Sequence, residues 1–150
     1  ESYLRRGVLI YAKVFLYALD TIGKTLRVLA ETTGTPATLE EIRHNFYKAL
    51  PSLTAVRDTA HHMEDRARGV GRQGTPMILQ PVTNRMVNAP SGGVLILSSL
   101  NGNCFGSTMG DGRYGEVEVS VATMQVAQRA IQETLDAFAW RGPKRSEPSA

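Results

Sequence analysis

From Val8 to Leu29 the apolar residues Val8, Ala12, Phe15, Leu19, Ile22, Leu26 and Leu29 recur at steps of three and four, the period of one face of an α-helix. No other feature constrains the chain as much. A helix of this length gains little in water from propensity alone, so its apolar stripe requires partners. Further segments carry the same signature. Gly34 and Pro36 stop the first helix, and Thr38 with Glu41 has the spacing of a capping box before Ile42, Phe46 and Leu50. Pro51 suits a first helical turn, and Leu53, Val56, Ala60, Met63 and Ala67 repeat at helical steps up to Gly69. Ser120 is a plausible N-cap for a last helix with Met124, Ala127, Ile131, Leu135 and Phe138 on one stripe. The pattern therefore predicts helices over about 3–32, 38–49, 51–68 and 120–140.

Between Val70 and Val119 helical periodicity gives way to β-branched and apolar runs separated by Gly- and Pro-containing turns. Asn101-Gly102 and Asp111-Gly112 separate the runs Val94–Leu100, Cys104–Met109 and Tyr114–Val119, and both dipeptides tolerate the positive φ of tight hairpins. A three-stranded antiparallel meander follows. Met77–Val82 reads as a further strand, confined to an edge because Pro81 has no N–H for the ladder. The expected fold is mainly α (α+β): an up-down bundle of about four helices with a small antiparallel β insertion over about 77–119 in one domain, residues 1–142. The polar, proline-containing tail 143–150 is expected to be disordered.

A chain of 150 residues, 42% hydrophobic, can bury a continuous core without metal or disulfide staples. Its one cysteine, Cys104, has no internal partner, which points to a reducing, cytoplasmic setting. Arg5 and Arg6 precede an apolar run, but Lys13 interrupts it short of the roughly 20 residues that a membrane span needs. Neither a membrane partner nor a cleaved leader is expected. A net charge of +3 and a pI near 9.3 are compatible with nucleic acid as a partner without requiring it.

Chemistry concentrates on the third helix. Of three histidines, His44, His61 and His62, two lie there among Arg57, Asp58, Asp65, Arg66 and Arg68. Leu53, Val56, Ala60, Met63 and Ala67 claim one face, which leaves Arg57, Asp58, His61 and His62 to the other. Asp58 and His62 are one turn apart, so the carboxylate is expected to orient the imidazole for acid–base work. His61, Arg66 and Arg68 are candidate substrate-binding residues. The alternative is a solvated helix face carrying ion pairs between residues one turn apart.

The string RDTAHH, residues 57–62, resembles the motif of HEPN domains, in which an Arg, usually followed by a polar residue, precedes a His by five positions. Arg57, Asp58 and His62 fill those places, and the family's helical bundle is similar to the bundle read from periodicity. The resemblance implies metal-independent RNA cleavage, or RNA or nucleotide binding, with toxin or phage-defence roles and a protein antitoxin among the partners. Met63, Glu64 and Asp65 stand where many antitoxin-paired members carry a Tyr.

RNA cleavage by its own 2′-hydroxyl needs a base, an acid and cationic stabilisation of the phosphorane. His62 supplies one proton-transfer group and Arg57 a planar fork for phosphate oxygens. One His62 per chain cannot fill both proton roles, so a homodimer pairing the two third helices is expected. The competing function is a non-catalytic helical interaction or dimerisation module.

No cofactor or metal is expected. His61 and His62 are adjacent and leave an ideal helix about 100° apart, which does not converge on one ion. The glycines of SGGV and GDGRYG lack the Lys-Ser or Lys-Thr of a phosphate loop and read as turns. His44 reads as a surface residue. Tyr114, Arg113 and Arg85 lie on or near the expected sheet and are suited to stacking on bases, and Phe105 reads as core.

Overall fold

The computed structural model describes the backbone of residues 2–140 and the side chains of residues 6–140; the tail at 143–150 lies outside the described residues. The elements run α1 (Ser2–Glu31), α2 (Thr38–Ala49), α3 (Leu53–His61), α4 (Met63–Ala67), a 3₁₀ turn, then β1 (Pro81–Thr83), β2 (Asn88–Gly93), β3 (Ser99–Asn101), β4 (Cys104–Thr108), β5 (Tyr114–Glu118) and α5 (Val121–Ala137). Helices dominate, with two small antiparallel sheets between α4 and α5, as expected of an α+β chain. The chain forms two compact units. One holds the chain up to Tyr17 with Ser52–Val119; the other holds Ala18–Pro51 and the chain from Ser120, so the continuous helix α1 contributes to both.

In the helical unit, α2 packs on α5. Leu19, Leu26, Leu39, Ile42, Phe46, Leu50, Ala127 and Ala130 are buried, the larger of them contributing about 1.5–3 kcal/mol each. Gly23 allows α1 to approach Tyr47 closely, since a Cβ there would sit 2.6 Å from the phenol oxygen. The capping box of Thr38 and Glu41 does not form: Thr38 is already inside α2, which has no side-chain cap. Its first amides are satisfied otherwise, Leu39 donating to the Pro36 carbonyl (3.1 Å) and Glu40 to that of Ala37 (3.3 Å), a tight first turn that leaves a cap little to do. Ser120 does cap α5, its hydroxyl accepting from the Thr123 amide at 3.2 Å.

In the α/β unit the meander β3-β4-β5 forms in the expected order, with Phe105 opposite both Leu100 and Val117. Gly102 and Gly112, with φ of 63° and 84°, turn its hairpin connections. Helix α3 packs on β4 and β5, burying Leu53, Val56, Thr59 and Ala60 in the unit that also buries Phe105 and Val117. The Thr59 hydroxyl donates to the Thr108 carbonyl at 2.8 Å, so the one polar side chain in that face is satisfied. The strand read over 77–82 shrinks to Pro81–Thr83, with a register irregularity at Pro81, and pairs with β2. In a two-stranded ribbon both strands are edges, which is where a proline is tolerated.

Along α1 the buried positions are Ala12, Leu16, Leu19, Asp20, Gly23 and Leu26, the Asp20 carboxylate pairing with Lys24 at 2.8 Å. That face is rotated from the predicted stripe, and Val8, assigned to it by periodicity, is 58% exposed.

Candidate functional site

The sequence predicts one helix over about 51–68, and the structure corrects it. The backbone leaves helical geometry at His62 (φ −114°, ψ 45°), dividing the segment into α3 and α4. This is a kink rather than an end, since the His62 amide still donates to Asp58 O (2.9 Å) and the Arg66 amide to His62 O (3.2 Å). No glycine or proline marks it. The physical reason lies in α4: turning it carries Arg66 inward to 5% exposure, where Nη1 donates to the carbonyls of Val70 (2.8 Å) and Gly71 (3.1 Å). A buried guanidinium is held only where such acceptors meet it.

The kink decides where the imidazoles lie. His61 ends α3 and His62 occupies the turn; both are exposed, and their rings meet edge to face with centroids 4.8 Å apart. The separation expected on an ideal helix is thus replaced by contact. Tyr17, on α1, meets His61 edge-on at 6.5 Å, and Lys13 Nζ lies 3.8 Å from Met63 Sδ. Neither α1 residue has a local sequence signal linking it to a histidine some 45 positions on. Helical period places both on the side of α1 that the kinked segment approaches, a relation only tertiary structure reveals.

Around the histidines, Arg57 is largely buried, with 12% of its side chain exposed, and its Nη1 is 3.1 Å from Asp58 Oδ1. Asp58 therefore serves the guanidinium; the expected contact between its carboxylate and the His62 ring is not among the described hydrogen bonds, because the kink changes the backbone direction at His62. Arg68 is exposed and pairs with Asp65 at 2.6 Å. Arg66, read from sequence as a substrate contact, is committed to the loop carbonyls instead.

His62, Glu64 and Asp65 bring one ligand atom each within 4.8 Å of one another. Two ligands at the ~2.1 Å of a zinc bond can be at most about 4.2 Å apart, and the Asp65 carboxylate is already paired with Arg68. His44 is exposed on α2 beside the Glu40–Arg43 ion pair, and Phe105 is fully buried, as read. Tyr114 is tied into the meander: Ser99 Oγ lies 3.1 Å from its hydroxyl, which donates to Glu116 Oε1 at 2.9 Å. Burial raises its pKa to about 12; the bond with Ser99, next in size, lowers it, and the bond and charge of Glu116 raise it further. Among the described residues no helix is long and apolar enough to cross a membrane.

Comparison with family models, curated proteins and solved structures finds no match to this chain.

Proposed function

We propose that the chain is a HEPN-like, metal-independent ribonuclease or RNA-binding effector acting through Arg57 and His62 in a reducing, cytoplasmic setting. One observation carries the reading: the kink at His62 presents two exposed imidazoles in edge contact, at the end of a helix that also carries a guanidinium one to two turns back. An imidazole takes the proton of the RNA 2′-hydroxyl as that oxygen attacks phosphorus; a second imidazolium protonates the departing 5′-oxygen. The products are a 2′,3′-cyclic phosphate and a 5′-hydroxyl. Arg57 stabilises the charged phosphorane, and Asp58, at 3.1 Å, positions its guanidinium. His61 and the exposed Arg68 contact the strand. A two-fold homodimer supplies the complement of proton-transfer groups, and a protein antitoxin is the partner class that such an activity calls for.

Incubating the whole chain with end-labelled RNA in EDTA and assaying cyclic phosphate tests this directly. No product from the wild-type chain sinks the catalytic reading, and no retardation of RNA sinks the binding one.

The second reading, a non-catalytic interaction module, is favoured by a separate observation. Helix α1 exposes Val8, Ile10, Tyr11, Val14 and Val28 at 57–76%, more apolar surface than one soluble helix usually leaves to water.

A further inference from the structure

One line of residues along α1 is ordered, beside the further exposed positions Arg6, Val8, Ile10, Lys24, Arg27 and Glu31. Gly7, Tyr11, Val14, Ala18, Thr21, Thr25, Val28 and Thr32 follow one another at alternating steps of four and three. Tyr11, Val14 and Val28 are 76%, 58% and 57% exposed, and Ala18, Thr21, Thr25 and Thr32 are exposed too. None of the eight is charged. A period of 3.5 residues, sustained over four heptads, is the seam of two supercoiled helices. The buried face of the same helix is a different set of residues, so the heptad is not explained by packing within the chain.

Two of the seam's hydroxyls are already satisfied. Thr25 Oγ1 donates to Thr21 O at 3.0 Å and Thr32 Oγ1 to Val28 O at 2.7 Å. Both threonines thereby spend their hydroxyl protons inside their own helix, and a facing helix buries them without stranding a donor.

We infer that α1 is a self-association surface, on which a second copy of this chain packs its own α1 antiparallel about a two-fold axis between Ala18 and Thr21. The choice of a second copy rests on self-complementarity. In this register Gly7 faces the other copy's Thr32, Tyr11 faces Val28, Val14 faces Thr25, and Ala18 faces Thr21. Every layer sets a larger residue against a smaller or medium one, and the whole stripe is used. A parallel pairing would set Tyr11 on Tyr11 and Gly7 on Gly7, a clash beside a hole.

The flanks agree. On one side Val8 meets Leu29 and Phe15 meets Ile22, all apolar. Ile22 and Leu29 also line a shallow cavity of about 190 Å³ with Ile131 and Leu135, which the second copy's Val8 enters. On the other side the charged Lys24 and Glu31 face Tyr17 and Ile10, so no like charges oppose. Val8, Ile10, Tyr11, Val14 and Val28, 57–76% exposed, all lie on the seam or its flanks, the apolar centre that an interface of ~800 Å² per partner needs. Antiparallel pairing also sets both copies' Tyr17, and with them the His61 rings, on one face of the pair.

This inference does not rest on the ribonuclease reading, because it is read out by assembly alone. Sedimentation velocity of the whole chain at 1–100 µM protein, on the order of magnitude where modest interfaces associate, is expected to show a dimer. Val14→Lys and Thr25→Glu each place an unpaired charge in the seam and are expected to raise the dissociation constant roughly 100-fold, with circular dichroism unchanged because both positions are exposed in the monomer, and with a melt that no longer rises with protein concentration. Combining them in one chain restores the dimer, since residue 14 of one copy meets residue 25 of the other. In a Cys104→Ala background, mixed Val14→Cys and Thr25→Cys chains are expected to cross-link to each other and Val14→Cys not to itself. A monomeric wild type, an undiminished dimer in both single variants, or a 14-to-14 cross-link overturns the inference. Dimer without RNA cleavage leaves it intact while removing the proposed function.

Discussion

The guanidinium of Arg57 lies 3.1 Å from the carboxylate of its sequence neighbour Asp58, with only 12% of the arginine side chain exposed. Neighbours in sequence do not share a helix face, so this pair is a side-chain arrangement that helical period does not foretell. The acid thus meets the guanidinium rather than the imidazole.

This arrangement separates the roles of four residues. His62→Ala is expected to lower cyclic phosphate formation roughly 10²–10⁴-fold without changing the melt, as for a positioned acid or base on an exposed turn. Arg57→Lys keeps the charge but loses the planar fork, so turnover falls while RNA retardation persists. Asp58→Asn weakens turnover through Arg57, and its loss should largely vanish in an Arg57→Lys background. His61→Ala is the control: a loss equal to that of His62→Ala in wild-type fold shows that the two rings act as a pair.

Arg66 is expected to matter for stability and not for RNA. Arg66→Ala removes two charge-assisted hydrogen bonds to Val70 and Gly71 and leaves both carbonyls unmet, at about 2–4 kcal/mol. Arg66→Met keeps the volume and should recover only the packing part. Urea unfolding of the three proteins distinguishes them, and an unchanged midpoint for Arg66→Ala would show that the inward clamp contributes nothing.

Two turn glycines with similar backbone should respond differently to alanine. Gly102 (φ 63°) has open space around a built Cβ, whereas at Gly112 (φ 84°) a Cβ would overlap the Ile78 carbonyl. Gly102→Ala is expected to cost about 1 kcal/mol, the conformational term alone. Gly112→Ala should cost at least about twice that, because backbone must also move. Thermal melts with a matching order of Tm test the pair.

The Tyr114 hydroxyl supplies a pH dependence of known sign. Its pKa is raised from 10.0 to about 12 in the fold, so below pH 10 it is protonated in both states and its stabilisation is complete. Between pH 10 and about 12 the unfolded chain ionises first, and stability falls as pH rises. Tyr114→Phe should start lower, having lost its bonds to Ser99 and Glu116, yet show a shallower decline over that window. Parallel slopes for both proteins would remove Tyr114 as the cause.

What the residue order determines by itself depends on neighbours a few positions apart, although the Thr38–Glu41 capping box, equally local, does not form. The period of α1, the serine cap of α5 and the Gly102 and Gly112 turns are all local relations, and all are found where the sequence places them. Phe105 in the core follows from the same logic of alternation. The rest depends on groups distant in sequence. The face of α1 that turns inward is decided by what packs on it, so Leu16 is buried and Val8 is not. The carbonyls of Val70 and Gly71 that hold Arg66 lie only four and five residues beyond it, but the loop presenting them is tied to a distant residue, the Arg72 amide donating to the Gly110 carbonyl at 3.3 Å. The contact of His61 with His62, and of Tyr17 with His61, follows from the turn at His62. Helical period can place a histidine on a face; only a buried guanidinium finding its carbonyls decides that the helix bends there and sets two imidazoles edge to face.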